Sequence, residues 1–115
     1  MSTSREIDET QVKKLIEKQL KEHSILIYMK GTPTFPQCGF SSQAVSALKS
    51  CRKEFSFVNI LENPDIRAIL PKYSDWPTFP QLYINGELIG GCDIILEMKK
   101  SGELKTAVSN AELQN

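Results

Sequence analysis

Cys38 is the residue of this chain best placed to do chemistry. It lies in Pro36-Gln37-Cys38-Gly39-Phe40-Ser41, after the apolar run Ser24-Ile25-Leu26-Ile27-Tyr28-Met29 and before the helical pattern Phe40, Ala44, Val45, Leu48. A strand ends there, a loop crosses, and the cysteine opens a helix. A thiol at that point meets unpaired backbone N–H groups and the positive end of a helix dipole, and both favour thiolate. The dipole is worth roughly 0.3–1 kcal/mol at a surface site, whereas one pKa unit takes about 1.4 kcal/mol. The dipole alone therefore falls short of bringing a thiol near ~8.5 to neutrality. A nearby cation would help, and Lys30 closes the preceding strand.

The spacing is that of Cys-x-x-Cys, in which a first thiol attacks a disulfide and a second resolves the product. Here Ser41 holds the second position, and a serine cannot resolve a mixed disulfide. The usual role of a single cysteine at a helix start is packing, and Cys38 read alone fits that role as well as a reactive one. Its surroundings separate the two.

A chain of 115 residues is expected to form one domain, residues 1–115, with a single modest core. Lys+Arg and Asp+Glu both number 14, which gives no electrostatic case for nucleic acid or an anionic membrane. No apolar run approaches the length of a membrane span. The first twenty-odd residues carry acids and a helical pattern, so neither a signal peptide nor a transit peptide is expected. Three cysteines, at 38, 51 and 92, make an odd number without tight pairing, and this favours a reducing compartment over a disulfide scaffold. The expected location is the cytoplasm. The spacing matches no zinc site. His23 is the only histidine and reads as a solvated loop residue.

Several elements must position Cys38. Residues 8–22 read as an amphipathic helix with Val12, Leu15, Ile16 and Leu20 on one face, Asp8 as N-cap, and Gln11 and Ile7 in supporting roles. Residues 24–30 are apolar and β-branched without alternation, the pattern of a central strand. The Cys38 helix should end near Cys51, which falls on its apolar side and reads as inert packing. Residues 55–60 alternate as a second strand. Strand, helix and strand in succession imply a right-handed parallel unit. Asn63-Pro64 opens a helix with Ile66, Ile69, Leu70 and Tyr73 on its buried face, and Pro71 should break or kink it. Arg67 points away from that stripe, as a solvated surface arginine would. Trp76-Pro77-Thr78-Phe79-Pro80-Gln81 precedes a strand at Leu82-Tyr83-Ile84. Asn85-Gly86 marks a hairpin to Glu87-Leu88-Ile89. Gly90-Gly91 allows close backbone approach, and Cys92-Asp93 opens a helix with Asp93 as its cap. Leu104, Ala107 and Val108 support a last helix, with fraying from about residue 110.

The order predicts an α/β fold with a four-stranded mixed sheet and flanking helices. Cys38 then lies at the carboxyl end of a central strand, where open α/β sheets place ligands. The Thr78-Phe79-Pro80 loop and the Cys92-Asp93 helix start could converge there. A helix start offers N–H groups to one carboxylate, Lys30 and Arg67 offer charge to a second, and extended backbone before Pro80 could pair with a peptide. Such a site suits a small anionic peptide whose thiol meets Cys38.

Cys38-Gly39-Phe40-Ser41, Trp76-Pro77-Thr78-Phe79-Pro80 and Gly90-Gly91-Cys92-Asp93 together resemble the motifs of monothiol glutaredoxins of the CGFS class. The resemblance spans about residues 8–109, and it is to the short single-domain members. It implies a thioredoxin fold with Pro80 cis and a glutathione site. It implies that Lys30 and Arg67 hold the glycine carboxylate of glutathione, that the Phe79 backbone pairs with its cysteinyl part, and that Cys92 and Asp93 receive its γ-glutamyl end. Lys72 stays open. Cys38 would ligate a [2Fe–2S] cluster shared by two protomers. The resemblance further implies a carrier in iron–sulfur cluster assembly, with BolA-type proteins and apo iron–sulfur clients as partners. Two functions follow: a cluster carrier with little catalysis of its own, which is favoured, and a glutathione-dependent thiol transferase with Cys38 as sole nucleophile. Glutathione itself could resolve the mixed disulfide in the second case.

Overall fold

Ile25–Met29 forms strand β1, and every residue of it is buried. Successive side chains on a strand point to opposite faces. Ile25, Ile27 and Met29 enter one apolar cluster, and Leu26 and Tyr28 enter another. A strand with a core on each side needs no polar face, which explains the missing alternation. The structure, a computed structural model, describes residues 7–111.

Strand β2 (Ser56–Asn59) runs parallel to β1, with Met29 opposite Asn59. Strand β3 (Gln81–Ile84) lies antiparallel on the other side of β1, and β4 (Glu87–Gly90) returns beside it. The sheet order is β2-β1-β3-β4. Asn85 and Gly86 turn the hairpin with φ of 54° and 80°. Two left-handed residues in succession form the turn that Asn-Gly favours.

Helices α1 (Glu9–Glu22) and α3 (Pro64–Ser74) cover one face of the sheet, through Ile16, Ile66 and Leu70. Helices α2 (Gly39–Ser50), α4 (Cys92–Ser101) and α5 (Glu103–Ala111) cover the other, through Val45, Leu48, Ile95 and Leu104. Full burial of such a side chain is worth about 1.5–3 kcal/mol, so both helical layers are firmly held. No helix among the described residues is long and apolar enough to cross a membrane.

Several local expectations need correction. Leu15 is 44% exposed, so α1 buries Val12, Ile16 and Leu20 only. His23 is half-buried rather than solvated, with its Nδ1 3.0 Å from the Ser56 hydroxyl. Helix α3 runs through Pro71 to Ser74, where Asp75 caps it in the left-handed region. Pro71 removes only the bond to the Arg67 carbonyl, and burial of Ile69 and Leu70 offsets the loss. Asn63 precedes α3 but does not cap it with its side chain, which donates to the Asn59 carbonyl instead. Gly91, not Asp93, is the N-cap of α4, and Asp93 sits in the first turn. Helix α5 continues to Ala111, which is fully buried against the sheet's core, so ordered structure passes residue 110. The rest of the segment expected to fray lies outside the described residues.

Candidate functional site

The loop after β1, the loop before β3 and the start of α4 meet at the carboxyl end of β1. They enclose an open cleft of about 770 Å³. Lys30, Cys38, Arg67, Phe79, Cys92 and Asp93 all line it, so the structure brings every residue singled out from the sequence to one place. Phe40, Trp76 and Pro80 complete the walls.

Cys38 is half-buried at the N-cap of α2, and its carbonyl accepts the Ser42 N–H at 2.9 Å. Its loop is stapled at both ends. Ser41 is fully buried, and its hydroxyl oxygen accepts the Lys30 N–H at 3.1 Å. The Lys30 carbonyl accepts the Gln37 N–H at 2.9 Å. Gly31 turns the chain between them with φ of 92°, and a Cβ there would lie 2.5 Å from the Phe35 carbonyl oxygen. Only glycine fits that turn.

The Cys38 thiol is held below its ordinary pKa. The Ser41 backbone N–H is the main cause, partial burial opposes it, and the Phe40 N–H, Lys30 and the Ser41 hydroxyl add smaller pulls. Lys30, the cation expected to matter, ranks behind the backbone. Cys92 behaves oppositely. Burial pushes its thiol up, and Asp93 and Cys38 add to the effect. The Cys92 thiol lies 3.7 Å from Gln43 Oε1, its hydrogen-bond acceptor.

The facing wall is built around the cis Phe79–Pro80 bond. Gln81, fully buried, donates from Nε2 to the carbonyls of Trp76 at 2.8 Å and Thr78 at 3.2 Å. Its Oε1 accepts the Tyr83 hydroxyl at 2.9 Å. One side chain thus shapes the whole loop. A Cβ at Gly91 would lie 3.2 Å from the Pro80 carbonyl oxygen and 3.3 Å from Trp76 Nε1, so the α4 start approaches this loop as closely as backbone allows.

Arg67 is exposed on α3 and lines the cleft, where a carboxylate could meet it together with Lys30. Lys72, left open from the sequence, pairs with Glu9 at 3.2 Å. Among the described residues no three His, Cys, Asp or Glu side chains come together. A metal cluster at Cys38 would need donors beyond the side chains that the described residues bring together there. The half-buried, thiolate-prone Cys38 at the cleft fits such a group as one ligand. Gln81 and Asn59 carry no expectation from the sequence, and Ser41 carries one only as the missing second thiol. A polar residue inside or at the end of an apolar run was their only signal.

A mixed sheet between two helical layers, with the Cys38 thiol at a helix start facing a cis-proline loop and Ser41 in place of a second thiol, defines a thioredoxin-fold protein with a monothiol site. Residues 25–89 match the glutaredoxin family model. The chain belongs to the glutaredoxin family, and Cys38-Gly39-Phe40-Ser41 makes it a monothiol member. It is 64% identical over 100 residues to Glutaredoxin 4 of Buchnera aphidicola (subspecies Schizaphis graminum), covering 87% of this chain and 94% of that one. The solution structure of reduced poplar apo GrxS14 shares 51% identity at a TM-score of 0.77, over 90% of this chain and 94% of that one. The crystal structure of a buckwheat glutaredoxin–glutathione complex reaches a TM-score of 0.81, covering 95% and 97% of the two chains. At 18% identity it speaks for the fold alone.

Proposed function

We propose that this monothiol glutaredoxin binds glutathione in the cleft and holds a [2Fe–2S] cluster between two protomers, as a carrier in iron–sulfur cluster assembly and transfer. The carrying observation is the isolation of Cys38. Ser41 stands where a resolving thiol would, Cys92 is buried with its thiol pushed up, and Cys51 is in the core. Lys30 and Arg67 would hold the glycine carboxylate, the Phe79 backbone the cysteinyl part, and Cys92 and Asp93 the γ-glutamyl end. A [2Fe–2S] cluster normally takes four thiolates. Two protomers supply two, and two glutathiones supply the rest. Because glutathione exchanges, the cargo is transferable. The same reading makes apo iron–sulfur proteins the clients, a BolA-type protein a partner, and the cytoplasm the location. Anaerobic purification followed by absorption, iron, sulfide and glutathione assays tests it. A brown protein with glutathione in equal number to iron supports the reading, and a colourless one after reconstitution rejects it.

The lowered Cys38 pKa favours a second reading, a glutathione-dependent thiol transferase. Thiolate attack on a mixed disulfide would displace one thiolate, and glutathione would then resolve the product. Turnover of a glutathione mixed disulfide as fast as that of a Cys-x-x-Cys relative would put this reading first.

A further inference from the structure

Asn59 ends β2 outside the cleft, between the loop that begins at Lys30 and the segment that leads into α3 and Arg67, the two cations of the proposed glutathione site. Its Oδ1 accepts the Gly31 N–H at 2.9 Å and the Leu61 N–H at 3.0 Å. Two N–H donors facing one atom identify it as the oxygen. Its carbonyl accepts the Asn63 Nδ2 at 2.8 Å and the Glu62 N–H at 3.1 Å. The Asn63 carbonyl in turn accepts the Arg67 N–H at 3.0 Å, in the first turn of α3. Beside it, the Ile60 N–H bonds the Met29 carbonyl at 2.9 Å. A continuous set of hydrogen bonds therefore runs from Gly31, next to Lys30, to Arg67. Lys30 is fixed from the other side by Ser41.

We infer that Asn59 is a positioning residue that sets Lys30 and Arg67 in register to grip one carboxylate, an inference that rests on the glutathione reading above. The end of β1 and the first turn of α3 are joined along the chain only through α2 and β2. Gly31 has φ of 92° and no room for a Cβ, so its backbone direction is defined by what its N–H meets. That partner is Asn59. A carboxylate gripped by two cations needs their heads placed together, because charge-assisted bonds weaken steeply with distance and angle. Removing the Asn59 side chain leaves two N–H groups without their acceptor and loosens the Gly31 side of Lys30, while Ser41 still holds the Lys30 N–H.

The test is titration of the full chain with S-methylglutathione, which carries both carboxylates but has no thiol to react, followed by backbone NMR. Asn59→Ala should weaken binding by about tenfold, the scale of one misplaced charge-assisted bond. Asn59→Asp, which restores an acceptor for both N–H groups, should stay within about threefold of wild type. In a Lys30→Ala background the Asn59→Ala change should have almost no further effect, since the contact it serves is already gone. A merely structural role predicts the same loss in both backgrounds, and that result, or unchanged affinity for Asn59→Ala, overturns the inference. If Asn59→Ala does not fold, Asn59→Ser takes its place with the same two outcomes. Wild-type protein that shows no binding of S-methylglutathione would remove the glutathione reading itself, and this inference with it.

Discussion

Two helices of this molecule begin at a cysteine, and both cysteines line one cleft. Each thiol sits at the positive end of a helix dipole, yet one is lowered and the other raised. Cys38 is the N-cap of α2, outside the helix proper, where its sulfur faces the N–H groups of Phe40 and Ser41. Cys92 is the first residue of α4, after a Gly91 cap. Cys92 is buried, its sulfur beside Gln43 Oε1, with Asp93 next in the chain. The contrast shows that a helix start does not activate a thiol by its dipole alone. Backbone N–H groups aimed at the sulfur favour thiolate, and burial beside a carboxylate reverses the result.

The two cysteines should separate most sharply on substitution. Cys38→Ser is expected to abolish cluster assembly while leaving the circular dichroism spectrum unchanged, and Cys92→Ser to retain assembly. Iron and sulfide content after anaerobic reconstitution measures both. Wild-type iron content in Cys38→Ser would break the contrast.

The cation side of the cleft comes next. Arg67→Glu should raise the glutathione concentration needed for assembly by about tenfold or more, as loss of charge-assisted bonds worth roughly 1.5–3 kcal/mol each implies. An unchanged requirement would return Arg67 to a plain surface charge.

The pH dependence of alkylation sharpens the comparison without any cluster. Reaction follows the thiolate fraction. The Cys38 midpoint should lie below that of an ordinary thiol and the Cys92 midpoint above it, so an intermediate pH labels Cys38 ahead of Cys92. Asp93→Asn removes a charge that disfavours the Cys92 thiolate, and should lower the Cys92 midpoint while leaving Cys38 in place. Mass spectrometry of timed iodoacetamide reactions across pH reads both. A Cys92 midpoint at or below that of Cys38 would contradict the account. The third cysteine gives the smallest effect. Cys51 caps the end of α2, buried, 3.7 Å from the Ala47 carbonyl oxygen, and Cys51→Ala should keep the cluster at a cost of about 1 kcal/mol in urea unfolding.

What the sequence makes legible here is what is local. β1 reads as central because its apolar run has no alternation, and Asn85-Gly86 reads as a hairpin because both residues tolerate the left-handed region. Cys38 reads as a helix start because a strand and a helical pattern flank it. The residues that escaped notice act at a distance. Ser41 looked like only a missing thiol, yet its buried hydroxyl holds Lys30, 11 positions away. Asn59 meets Gly31 across 28 positions, so nothing near it in the chain announces the contact. Pro71 does not break α3, because a local rule gave way to the buried face of the helix. Asp93 misled because Gly91 takes the extended cap position, leaving the carboxylate in the first turn, where the dipole still favours it.

The central claim is that a lone Cys38 makes the cluster a joint property of two chains and two glutathiones. Sedimentation of the apo and cluster-loaded forms, with glutathione released by acid and counted, tests it directly. The expected result is a monomer without cluster and a dimer with it, carrying two glutathiones for each [2Fe–2S] unit. A cluster-loaded monomer, or a dimer that keeps its cluster with no glutathione present, would contradict it.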